Sequence, residues 1–129
     1  VVMPTNRTLL TISAVAAALL AGTAAQAHSK LVASTPAANA TVAAPARLEL
    51  RYDEKLSPKS RVELFMTAAP GKAAGSPMPI GVATTLGGDA RTLITKPQKP
   101  LARGSYLIAW HAIATDGDRT DGTVRFVVR

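Results

Sequence analysis

Short runs of alternating apolar and polar residues, each cut off by proline or glycine, constrain this chain more than any other feature. Arg47-Leu48-Glu49-Leu50-Arg51-Tyr52 is the clearest: Leu48, Leu50 and Tyr52 fall on one face and the charges on the other. That is the period of a half-buried β-strand, because successive side chains of an extended chain point to opposite sides. Similar runs occupy Leu31–Thr35, Arg61–Met66, Ile80–Leu86, Arg91–Thr95, Ser105–Ala114 and Thr123–Val128. Between them lie the small-residue stretch Ala38–Pro45, a polar loop over residues 53–60 with Pro58, the Pro- and Gly-rich residues 69–79, the turn Gly87-Gly88-Asp89 and a tight polar turn over Asp116–Gly122. No helical apolar pattern of useful length follows residue 28. Seven short strands in about a hundred residues predict an all-β Greek-key sandwich or barrel.

The first 27 residues have a different character. Arg7 is a short basic start, the thirteen residues Leu9–Ala21 are almost all apolar, and Ala25-Gln26-Ala27 is a small-x-small sequence. This is the pattern of a secretory signal peptide. The rival reading, a retained anchor, needs about 20 apolar residues to cross a bilayer. Residues 1–27 are therefore expected to be removed, leaving one domain over residues 28–129. No cysteine follows the apolar run and no Arg pair precedes it, so a lipoprotein anchor is excluded and Sec-type export to the periplasm is expected.

The chain has no cysteine, which removes disulfides, thiol nucleophiles and thiolate metal sites. Arg7 is the only one of 15 Lys and Arg ahead of residue 28, while all 8 Asp and Glu follow it, so residues 28–129 carry a net charge of +6. The cations are dispersed and aromatics are few, so no nucleic-acid partner is expected. A solvated basic surface accounts for the charge, with weak attraction to anionic lipid headgroups or lipopolysaccharide as the lesser reading. Hydrolytic triads fail for want of histidines: there are two, and His111 sits in a strand where alternation with Trp110 turns it outward.

Three features remain for chemistry: His28, Asp53-Glu54, and Asp116-Gly117-Asp118. In a sandwich, the first residue, the loop after the second long strand and the turn before the last strand meet at one end. Cleavage after Ala27 would give His28 a free α-amine beside its imidazole, two nitrogen ligands from one residue. Amine, imidazole and carboxylate make a good equatorial set for Cu(II), which favours tetragonal nitrogen and oxygen ligands. An EF-hand reading of Asp116–Val127 fails, because Asp121 and Val127 stand where Gly and Glu are required.

His28-Ser-Lys-Leu-Val-Ala-Ser-Thr-Pro-Ala resembles the opening of the CopC-type periplasmic copper-binding proteins. The likeness continues through Leu48–Leu56, Met66–Gly71, Ser76-Pro77-Met78, Gly104-Ser105-Tyr106 with Trp110, and Asp116-Gly117-Asp118 with Gly122 and Phe126. The resemblance implies a cupredoxin-like (immunoglobulin-like) Greek-key barrel. It implies a Cu(II) site of the N-terminal His, an Asp and a His two residues later, which maps onto His28, Asp116 and, with carboxylate in place of imidazole, Asp118. Glu54 matches an outer acidic partner. The family's Met-rich Cu(I) site is reduced here to Met66 and Met78, with Lys72 nearby, at most a weak Cu(I) site. The implied role is a monomeric, non-enzymatic carrier or buffer of copper in homeostasis or resistance. It would exchange the ion with an inner-membrane transporter or another exported copper protein. Two other readings stay open: a metal-free immunoglobulin-like interaction domain, and a copper monooxygenase braced by the N-terminal His.

Overall fold

The computed structural model describes residues 28–129, and the expected signal peptide and its cleavage point lie outside the described residues. Among these residues nine strands form two sheets: β1 (Leu31–Thr35), β2 (Thr41–Val42), β3 (Leu48–Tyr52), β4 (Arg61–Ala68), β5 (Met78–Ile80), β6 (Val82–Leu86), β7 (Thr92–Pro97), β8 (Gly104–Ile113) and β9 (Arg119–Val128). One sheet runs β1-β3-β7-β6 and the other β2-β9-β8-β4-β5. Every pairing is antiparallel except the two-residue contact of β2 with β9. The chain crosses between sheets after β1, β2, β3, β5 and β7, so β3 and β4 find their inner neighbours late in sequence, in β7 and β8. This is the Greek-key sandwich that the alternating runs predict.

Nine strands replace the expected seven for local reasons. Two residues of the Ala38–Pro45 loop pair with the end of β9 as β2. Met78–Ile80 adds to β4 as β5, so residues 69–79 are not wholly irregular, and Gly81 separates it from β6. The turn expected over Asp116–Gly122 is shorter than predicted. Arg119–Gly122 is already strand, because β8 and β9 pair from Ile113↔Arg119 onward. The polar look of Arg119-Thr120-Asp121-Gly122 comes from two outer-face charges with an inner threonine and glycine between and after them, and turn chemistry is confined to residues 114–118.

The core lies between the sheets and is built from alternate residues of each long strand. Leu48, Leu50 and Tyr52 face Val62, Leu64, Tyr106, Ile108, Trp110, Val124, Phe126 and Val128, all buried. Burying each large side chain contributes about 1.5–3 kcal/mol, which a chain without disulfides must draw from packing. Tyr106 and Phe126 stack with centroids 5.3 Å apart, while Tyr52 meets Trp110 edge-on at 5.2 Å. No helix among the described residues is long and apolar enough to cross a membrane.

Candidate metal centre

One end of the sandwich collects the entry to β1, the β3–β4 connection and the β8–β9 turn. Residues 28–30 are clamped to the end of β3. The Lys30 amide donates to Asp53 Oδ1 at 2.8 Å, the Asp53 amide donates to the Lys30 carbonyl at 3.0 Å, and the Arg91 guanidinium donates to the Asp53 carbonyl. Asp53 is thus a structural clasp. Glu54, next in the chain, is half-buried, and His28 is exposed at the rim.

The β8–β9 turn is tied to the same loop. The Ser57 amide donates to the Ile113 carbonyl at 2.7 Å, the Thr115 amide to the Lys55 carbonyl at 3.3 Å, and Leu56 bridges Ala114. Within the turn, the Ala114 amide donates to the Asp118 carbonyl at 2.8 Å and the Asp118 amide to Asp116 Oδ1 at 3.0 Å. Gly117 adopts φ +96°, a conformation that disfavours any side chain. His28, Glu54, Asp116 and Asp118 therefore share one end of the molecule. Among the described residues, no three His, Asp or Glu side chains converge as a ready-made cage for an ion. One carboxylate oxygen of Asp116 already accepts the Asp118 amide, and while Ala27 is attached the backbone nitrogen of His28 is an amide. The residues supply an exposed imidazole and neighbouring carboxylates, a donor set that fits a divalent ion only with further ligands.

Beneath this rim the core carries buried polar atoms. Ser29 Oγ, Tyr52 OH, Trp110 Nε1 and Thr120 Oγ1 are buried with no hydrogen-bond partner among the described residues. Burial pushes the Tyr52 phenol well above its usual range. All four belong to inner-face positions at the His28 end of their segments. Trp110 on the inner face was legible from the alternation, but its pairing with Tyr52 joins strands 58 residues apart and has no local signal.

His111 faces outward, as alternation predicts, but it is only 19% exposed. Its Nε2 lies 2.9 Å from Glu63 Oε1 and its Nδ1 2.7 Å from Asp121 Oδ1, joining β4, β8 and β9 across the outer sheet face. Arg119 Nε donates to the same Asp121 oxygen at 3.1 Å. The His111 contact, with Arg119, holds the Asp121 carboxyl below the usual range. Sequence reading missed this cluster because its members are 48 and 10 residues from His111. The two carboxylates sit on opposite ring nitrogens, so no single ion reaches both.

Met66 and Met78 are directly opposed across β4 and β5, at the other end of the molecule from His28. Met66 packs against the core, while Met78 is 56% exposed. Lys72 lines the same hollow. The sequence placed Met78 in a loop; pairing with β4 makes it a strand residue.

A family model described as the CopC domain matches residues 31–129. The chain is 42% identical over 125 residues to copper resistance protein C of Pseudomonas syringae pv. tomato, covering 96% of this chain and 98% of the relative. It is 40% identical over 124 residues to copper resistance protein C of Xanthomonas campestris pv. juglandis, covering 95% and 97%. Among solved structures, the crystal structure of selenomethionine PcoC, a copper resistance protein from Escherichia coli, superposes with a TM-score of 0.73 at 34% identity. That superposition covers 78% of this chain and 99% of the other.

Proposed function

The chain belongs to the CopC family, and from that membership we propose that it is an exported, periplasmic copper-binding protein that carries or buffers Cu(II). Residues 1–27 act as the signal peptide and residues 28–129 as the mature domain. The observation that supports this best is the convergence of residues 28–30, the β3–β4 connection and the β8–β9 turn on one end of a rigid sandwich. Cleavage on export creates an α-amine at His28. His28 then offers two nitrogens, with Asp116 and Asp118 as carboxylate donors and Glu54 as an outer partner. The α-amine has an ordinary pKa near 8, so Cu(II) displaces its proton at little cost at neutral pH. A carboxylate at position 118 is harder than imidazole, which weakens Cu(II) binding but keeps its preference over other divalent ions.

Copper is cargo in this reading, and the protein acts as a monomer without catalysis. It passes the ion to a membrane transporter or another exported copper protein. Met66 and Met78 give at most a weak Cu(I) site: two thioethers stand opposite one another, but the Lys72 ammonium beside them repels a cation.

The test uses the exported protein with its N-terminus read by mass spectrometry. Protein beginning at His28 is expected to bind one Cu(II) with a type-2 EPR spectrum, and one added N-terminal residue to abolish it. Equal binding by both forms would remove the N-terminal site. Asp118→His is expected to tighten Cu(II) binding at least tenfold, and an unchanged affinity would show that Asp118 is not a ligand.

A further inference from the structure

The end of the sandwich opposite His28 has its own charge pattern. Residues 36–47, 69–77 and 98–103 close that end, and none of them holds an aspartate or glutamate. Arg47, Lys72, Lys99 and Arg103 lie in these connections and Lys96 near the end of β7, and all five are exposed. Of these five, only Arg47 makes an ion pair among the described residues, with Glu49 at 3.5 Å. The connections at the His28 end are close to neutral instead: Asp53, Glu54, Asp89, Asp116 and Asp118 offset Lys30, Lys55, Lys59 and Arg91. A dispersed basic composition in the sequence is thus a polarised molecule in the fold.

The cations are spread over three connections and the end of β7. That arrangement sums charge over an extended anionic plane better than it grips a single anion. The connection around Lys72 adds exposed Ala69, Pro70, Ala73, Ala74 and Pro77, and the exposed Met78 follows, a small apolar surface suited to a headgroup layer. We propose that this basic end docks the protein on an anionic lipid bilayer, with the His28 end turned away from it. From Gly104 to Trp110 along β8 is six residues, about 20 Å at the rise of a strand, so the candidate metal centre stays clear of the lipid. Copper plays no part in the docking, and its test is independent of metal binding.

The test is co-sedimentation of the exported protein with phosphatidylcholine vesicles made with or without phosphatidylglycerol. Each lysine near an anionic surface is worth about fivefold in partitioning. Replacing Lys72, Lys96 and Lys99 together by Gln should therefore cost about a hundredfold. Replacing Lys30, Lys55 and Lys59 by Gln removes the same charge from the other end and should leave partitioning near wild type. Wild-type binding should require phosphatidylglycerol and collapse as salt shortens the screening length from about 8 Å to about 3 Å. All forms carry the same N-terminus, so a retained leader shifts them alike. Brominated lipid should leave Trp110 emission unchanged in the bound protein. Equal losses in both triple variants, no binding by wild type, quenching of Trp110, or retention on polyglutamate without vesicle binding would each overturn the proposal. The last would assign the surface to an acidic protein.

Discussion

Gly122 stands against the flat face of Trp110: a Cβ built there would lie 2.2 Å from Trp110 Cζ2 and 2.5 Å from Cε2. The indole is hemmed in by Tyr52 and cannot retreat into a packed core. Gly122→Ala should therefore destabilise the fold by about 1–3 kcal/mol, the usual cost of overpacking, read as a lower guanidinium midpoint. An unchanged midpoint would mean that the strand yields instead of the ring. The same glycine explains why the sequence around it looked like a turn. Its lack of a side chain serves a close approach between strands, while Gly117 serves the turn itself. At this scale the candidate site was readable only in part. His28 and Asp116 were visible as residue types in order, whereas the engagement of Asp53 in a backbone clasp was not.

The elements at the His28 end are held by carboxylates that act as acceptors. Asp89 receives the backbone amides of Arg91 and Thr92 and the Thr92 hydroxyl across the β6–β7 turn, and these bonds, the Arg91 amide foremost, lower its pKa. Asp121 is lowered by His111 and Arg119 in the three-strand brace. A depressed carboxylate contributes stability that is present above its unfolded value, about 4, and is lost as pH falls through the lower folded value. Both groups are at the surface, so the contribution is modest and salt-sensitive. Thermal midpoints should fall below about pH 4, and Asp89→Asn with Asp121→Asn should flatten that acid limb. An acid limb identical in the double variant would show that other carboxylates carry it. The strands themselves were legible from alternation, and the two that were missed, β2 and β5, are two and three residues long. Pairs that short are fixed by the neighbour they join, not by their own pattern.

The two sheets share one core and no disulfide or second domain, so the described residues should unfold as a unit. Leu50 is fully buried between them. Leu50→Ala should cost about 2–5 kcal/mol, with Trp110 fluorescence and far-ultraviolet circular dichroism losing signal at the same midpoint. Separate transitions would mean that the sheets hold independently. The sequence alone determined the all-β class and the inner faces of β3 and β8. Alternation, proline and glycine act over a few residues and need no partner to be read. The tertiary structure decided what depends on residues far apart in the chain. It set which strands are neighbours, the Tyr52–Trp110 pair and the Glu63–His111–Asp121 brace. It also gathered carboxylates at one end and acid-free, basic connections at the other. Those are consequences of chain crossings between sheets, and a crossing leaves no mark on the local sequence that it joins.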